Sequence, residues 1–301
     1  MPSPHLPRFK RAPTTSPIHL TERDLQIIRL LHRHRFLRSA QILGLVGGSP
    51  QQLLRRLQLL YHHGFLERPR AQLDYYKEGG SRHIVYGLGN QGGTLLRKER
   101  GDAFRKVSWG EKNRAVGRIF LEHALLISDV MVAIELSCRE RGIHLIHEED
   151  IDLPVKGRPF QWTVDIRRGV RLGVVPDRVF GLELPDAQGK RDRRYFFLEA
   201  DRGTMPVKRR NLSQTSFHRK LLAYTATWEQ DLHRSLFGFH RFRVLTVTSS
   251  ASRVKSLVDA CSQLERGHGL FLFADQGILS GDILSSPWQT GKLGETGSLL
   301  G

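Results

Sequence analysis

The sequence predicts an α+β protein in which a winged helix-turn-helix domain precedes a larger α/β domain. Three observations carry this. From Leu20 to Leu60 the apolar residues recur at helical spacing between capping residues; beyond Asn113, β-prone runs alternate with helical ones. The charge is the third: 47 Lys and Arg stand against 30 Asp and Glu, a net +17 over 301 residues. At roughly 100–200 residues per domain the length favours two.

The first helix begins at Thr21, an N-cap with Asp24 at the capping-box position, and its core-facing residues are Leu25, Ile28, Leu30 and Leu31. Ser39 opens a short helix through Ala40, Ile42 and Leu43 that ends near Gly44, and Gly47 and Gly48 form a turn. Ser49 caps a third helix that turns Leu53, Leu54, Leu57 and Leu60 inward. Helix, short helix, glycine turn and helix is the helix-turn-helix order, in which the last helix enters the major groove. Ser49, Gln51, Gln52, Arg55 and Arg56 are placed to meet DNA there; Gln pairs bidentately with adenine and Arg with guanine. After Gly64, the β-prone runs at 65–68 and 83–88 bracket a polar loop, read as a wing whose Arg68, Arg70, Lys77 and Arg82 touch backbone or minor groove. Asn90 caps a further helix. Residues 20–105 make this domain, preceded by a flexible basic arm over 1–19 that is rich in proline.

The second domain spans 113–275. Residues 116–139 form a long, largely buried helix carrying Glu122, His123 and Asp129. A strand at 145–147 leads into a loop rich in charge and glycine. Strands at 178–184 and 195–201 then form a hairpin. Glu199 and Asp201, two apart on one strand, share a face, and the hairpin returns them toward Asp177. Three carboxylates at one sheet end repel unless a cation neutralises them, and Mg2+, a hard ion that takes oxygen ligands, fits phosphodiester chemistry. The alternative is that these acids pair with Arg178, Arg202 or another basic side chain. A helix at 217–228, a strand at 242–248, a helix at 252–265 and a strand at 270–273 complete the sheet, and 276–301 reads as a weakly ordered tail around Trp288.

The block 21–64, then Pro176-Asp177, Phe197-Leu198-Glu199-Ala200-Asp201-Arg202-Gly203-Thr204, and Lys220 with Tyr224, resembles the replication-relaxation family of bacterial and plasmid-borne proteins. The resemblance implies a role in plasmid or mobile-element replication and DNA relaxation. The second domain also resembles the PD-(D/E)xK restriction-endonuclease-like fold, with Asp177 and Glu199 at two motif positions. Asp201 stands where that motif has Lys, and Lys220 on the following helix is the substitute; Glu122 or Asp129 is the acid of the first helix. What this implies is Mg2+ held by Asp177, Glu199 and Asp201, with Lys220 assisting a water. The other reading of the same residues is a non-catalytic regulator or scaffold on a degenerate nuclease fold.

The field of a +17 chain draws it to polyanions, so double-stranded DNA is the expected partner, joined by a second copy as a homodimer or by other replication or mobile-element proteins. No run approaches the roughly 18 apolar residues of a membrane span. Cys138 and Cys261 alone build neither a disulfide framework nor a CxxC zinc site, which points to the reducing cytoplasm. A Walker loop is absent, and the six tyrosines do not cluster with histidines as a nicking relaxase of the tyrosine type requires.

Overall fold

A computed structural model describes residues 8–12, 17–73, 83–100, 107–167, 169–185, 191–211 and 213–301. The chain is mixed α and β and divides by its internal contacts into two units, 1–132 and 133–301.

In the first unit, α1 (Glu22–His34) opens with the expected capping box between Thr21 and Asp24. Its buried Ile27, Ile28, Leu30 and Leu31 recur at the spacing that keeps one face on the core. β1 (Phe36–Arg38) follows, a strand too short for alternation to reveal in sequence, then α2 (Ser39–Val46) and α3 (Pro50–His62). Between these two helices Gly47 and Gly48 have φ of 68° and 83°, a left-handed turn that favours residues without Cβ. A Cβ on Gly48 would lie 2.8 Å from the Arg23 guanidinium, which closes the turn by donating to Gly47 O. β2 (Leu66–Glu67) and β3 (Val85–Leu88) are antiparallel, and β1 pairs with the other edge of β3 to give the order β1-β3-β2. Helix order and sheet are those of a winged helix. The loop expected to carry Lys77 and Arg82 lies outside the described residues.

α4 (Asn90–Arg100) and α5 (Trp109–Arg114) follow. The expected arm is in part a docked strap. Arg11 donates to Tyr61 O and Leu66 O, both at 3.0 Å, and pairs with buried Glu67 at 2.9 Å. Ala12 N donates to His62 Nδ1 at 3.0 Å. A buried carboxylate needs a cation more than solvated phosphate-seeking residues need phosphate, so Arg11 is drawn inward.

α6 (Arg118–Arg141) begins in the first unit, where Leu121, Ala124 and Leu125 pack on Phe36 and Val85. Its Ser128 Oγ donates to Phe36 O at 2.8 Å. In the second unit β4 (His144–His147), β7 (Arg178–Pro185) and β8 (Arg191–Asp201) form an antiparallel run, once the hairpin of β5 (Trp162–Arg167) and β6 (Val170–Val174) is set apart as its own sheet. That hairpin replaces the loop expected before residue 171. Trp162 and Val164 are buried while Thr163 and Asp165 are exposed, but interspersed glycines and charges hide the alternation in the sequence.

α7 (Phe217–Glu229) and α8 (Leu232–Phe237) cross over to β9 (Phe242–Thr248), which runs parallel to β8, and α9 (Ala251–Cys261) crosses to β10 (Phe271–Asp275), parallel to β9. The presumed tail instead extends the sheet: β11 (Trp288–Thr290) pairs with β10, and β12 (Thr296–Gly297) with β11. Trp288, Ile283, Leu284 and Leu299 are fully buried or nearly so, enough apolar side chain to order a stretch whose overall composition is Gly- and Ser-rich. The core of this unit is aromatic: Phe197 lies against Trp162, Tyr224, Phe237, Phe239 and Phe242. Among the described residues no helix is long and apolar enough to cross a membrane.

Candidate functional site

On α3 the residues expected to meet DNA divide. Ser49 at the N-cap and Gln51, Gln52 and Arg55 in the first turns are exposed, and Leu54, expected to face the core, is exposed among them because its position falls on that same outward face. Arg56 is turned away. Its Nε and a terminal nitrogen grip both oxygens of Asp24 at 2.8 and 2.6 Å, and it also donates to His19 O at 2.5 Å. Asp24 is completely buried. Burial pushes its carboxyl up, but Arg56 and Thr21 outweigh that and hold it below the usual carboxylate range. Arg56 therefore fastens α3 to the start of α1, a structural use of a side chain assigned to base reading.

Arg68 departs further from expectation. Only 4% exposed, it lies over the Tyr61 ring at 4.2 Å and the Tyr86 ring at 5.1 Å, and donates to Tyr86 Oη at 3.1 Å and to Arg8 O. Two aromatic faces and two oxygens hold the guanidinium inside the protein by its terminal nitrogens, so it is withdrawn from the wing surface. Arg70 is exposed beyond it.

In the second unit, Asp177 precedes β7 and continues the β7/β8 ladder past its end. Asp177 N donates to Leu198 O at 3.0 Å, and its Oδ2 accepts from Ala200 N at 2.8 Å, where a strand carbonyl would otherwise stand. Glu199 is 2% exposed. Lys220, one turn into α7, donates to Glu199 Oε2, and Tyr224, one turn later on the same face, donates to Oε1 at 2.7 Å. The Tyr224 ring is fixed by Phe197 and Trp162, so its hydroxyl has one direction available. Burial is the largest influence on Glu199 and raises its carboxyl above the ordinary range, Lys220 pulling down and Asp177 pushing up. Burial alone would lower the Lys220 ammonium, but Glu199 and Asp177 more than reverse this and keep it charged. Tyr224 is raised well above its usual value by burial and by Glu199.

Asp201 shares the strand face with Glu199, as alternation requires, yet has different company. Arg253 on α9 donates to its two oxygens at 2.8 and 3.3 Å, Thr248 Oγ1 donates at 2.9 Å and Gly203 N at 3.2 Å. This corrects the expectation of a three-acid cage. Among the described residues no group of three His, Cys, Asp or Glu is placed to hold a metal ion. The ion-pair alternative describes Asp201, with Arg253 as the cation that sequence reasoning missed. Glu122 pairs with Arg118 at 2.8 Å, and Asp129 with Arg38 and with Gln41 Nε2 at 2.7 Å, so both candidate acids of α6 are engaged within the first unit.

A cavity of about 180 Å³ opens over Glu199 and Lys220, walled by β6, Met205, Thr215, Ser216 and Arg219. Mg2+ is commonly bound through one or two carboxylates with water and substrate phosphate completing its shell. Asp177, just before β7, and Glu199, on β8, offer carboxylates of that kind, with Asp177 Oδ2 engaged by Ala200 N and both Glu199 oxygens by Lys220 and Tyr224. Chemically, the site can hold a charge-balanced carboxylate, a cation able to face an anion, and a small polar space.

A family model described as replication-relaxation matches residues 28–239, well over half of the chain. No curated protein and no solved structure matches it. The matched span runs from within α1 to the loop before β9 and takes in α3, Asp177, Glu199, Asp201, Lys220 and Tyr224.

Proposed function

Because the chain belongs to the replication-relaxation family, we propose that it is a cytoplasmic DNA-binding protein of plasmid or mobile-element replication and relaxation that cleaves a phosphodiester at the Glu199 pocket. The family supports the broad role in replication or relaxation. Recognition of duplex DNA is assigned to the exposed Ser49, Gln51, Gln52 and Arg55 on α3, with Arg70 beside the wing. These side chains reach out from a helix whose register is fixed by the Arg56–Asp24 pair.

The observation that carries the cleavage reading is the contact of Lys220 with Glu199. It restores, from a helix, the Lys that the nuclease-like motif loses to Asp201. Asp177 and Glu199 are the residues that would hold Mg2+, which when bound supplies charge for the phosphate and an oriented water. Tyr224 holds Glu199 in place, and Lys220 sets a positive charge at the cavity where a phosphate oxygen or attacking water sits. Asp201 holds the chain beyond β8 through Arg253 and takes no part in the metal set.

A second reading has its own support. With Glu199 already paired to Lys220 and Asp201 to Arg253, the acids are balanced without metal, as a DNA-binding scaffold on a retired nuclease fold requires. Supercoiled, linear and single-stranded DNA incubated with Mg2+, Mn2+ or EDTA separates the two, with Glu199→Gln beside the native protein. Metal-dependent nicking lost in Glu199→Gln, with retardation of DNA retained, establishes cleavage. Intact, retarded DNA in every lane establishes the scaffold.

A further inference from the structure

The stretch 202–220, between β8 and the first turn of α7, contains Arg202, Lys208, Arg209, Arg210, Arg219 and Lys220 and no Asp or Glu. On a chain with 30 acidic residues that one-sidedness is local, and it adjoins the cavity over Glu199. Lys208, Arg209 and Arg210 are exposed. Among the described residues none of these three, nor Arg219, has a carboxylate partner; Lys208 donates to Gln263 and Arg219 to Ser213 O at 3.0 Å. Elsewhere in the second unit the basic side chains are commonly committed, as Arg191 and Arg193 are to Glu183 and Arg253 to Asp201.

The backbone here is held in place. Arg253 donates to Met205 O at 2.6 Å, Phe217 N to Pro206 O at 2.9 Å and His218 N to Val207 O at 2.8 Å. Those bonds clip both sides of the basic run to the ends of α9 and α7, so ordering it on a ligand costs less than ordering a free loop. At about 180 Å³ the adjoining cavity is smaller than the roughly 300 Å³ at which small-molecule pockets begin. It suits one phosphodiester unit of a longer chain, and the lining Thr215, Ser216 and Arg219 offer hydroxyls and a guanidinium to such a group.

We propose that Lys208, Arg209, Arg210 and Arg219 form a second DNA contact, a phosphate-binding edge that lays a DNA backbone across the mouth of the Glu199 cavity independently of α3. The proposal rests on the cleavage reading for what the cavity does, but not for the binding itself. Its contacts are to phosphate and carry no sequence information, in contrast to those of α3.

The test uses the full chain with labelled single-stranded and duplex oligonucleotides of several sequences, across a salt series. Three proteins are compared with the native one: Lys208→Ala/Arg209→Ala/Arg210→Ala, Arg55→Ala, and a control, Lys255→Ala/Arg266→Ala/Lys292→Ala, which removes the same charge from other exposed positions of this unit. At about 0.9 in the log–log salt slope per duplex phosphate contact, the first variant should lose roughly 2 to 3 from the slope, equally for all duplex sequences. The control should lose less than 1, and Arg55→Ala should alter sequence preference. A slope for the first variant equal to that of the control overturns the proposal, as does a loss confined to one sequence. If the native protein retards DNA without cutting it and the slope still falls, the edge stands and the cleavage reading fails. If it cuts DNA and the slope is unmoved, the edge alone fails.

Discussion

Replacing Arg56 by Ala should unfold the first unit more readily without weakening its grip on DNA. The Asp24 carboxylate is completely buried and receives two guanidinium bonds at 2.6 and 2.8 Å, while Arg56 keeps some access to water. Removing the cation leaves Asp24 with only its Thr21 donors. Breaking a buried pair from one side costs about 3–5 kcal/mol, and the partial exposure of Arg56 brings the expectation to the low end, about 3 kcal/mol. For a unit of this size that lowers Tm by roughly 9–18 °C, at about 3–6 °C per kcal/mol. Thermal unfolding followed by circular dichroism measures the loss, and DNA titration well below the transition measures affinity. Arg55→Ala should show the reverse: Tm within about 2 °C of native, because surface substitutions seldom exceed ~0.5 kcal/mol, and weaker binding. Since Asp24 is held below its ordinary pKa of 3.8, the stability that the pair contributes is present above that pH and is lost as pH falls through the lowered value. Arg56→Ala should therefore flatten the acid limb of the stability curve. An unchanged Tm together with lost DNA affinity in Arg56→Ala would refute the assignment.

Two further outcomes follow from packing and protonation. A Cβ at Gly89 would stand 2.3 Å from Gly64 O and 2.9 Å from Leu66 O, so Gly89→Ala must shift backbone and should cost on the order of 2–3 kcal/mol in chemical denaturation. Burial holds the His62 imidazole below 6.5, with Arg68 and Arg11 adding to it, and its Nδ1 accepts from Ala12 N. The unfolded chain then takes up the proton more readily. Stability should be full above about pH 6.5 and fall as pH drops below it, and His62→Asn, which keeps an acceptor but does not titrate, should reduce that fall in Tm scans from pH 7.5 to 5.

The helix-turn-helix was legible because its signals are local: the Thr21–Asp24 box and the two glycines between α2 and α3 each act within a few residues, and Ser49 takes the N-cap position of α3, though its side chain makes no capping bond. So was the strand face shared by Glu199 and Asp201. What could not be read was which distant cation each charge meets. Arg55 and Arg56 are neighbours in sequence, yet about 100° of helical rotation puts one in solvent and the other on Asp24. Arg253 reaches Asp201 from 52 positions away, and Arg11 reaches Glu67 from 56. A residue that could have flagged the first case is Asp24 itself, an acid in a capping box at the start of a buried helical face. For Arg68 the flanking Tyr61 and Tyr86 gave no spacing signal, because strand and helix bring them together only in three dimensions. The β5/β6 hairpin was missed because Gly169 and Gly173 and the charged residues dilute a real alternation.

The two short strands after residue 276 act as a bumper. A central strand such as β10 offers a row of amide and carbonyl groups on each side, and β11 and β12 terminate that row with one three-residue and one two-residue segment, locked by Trp288. Edges this short give a neighbouring molecule little to zip onto. Shortening the protein at residue 275 would strip the bumper off, bare β10 with its Phe271, Leu272 and Phe273, and convert a self-limited sheet into one that grows by adding other molecules.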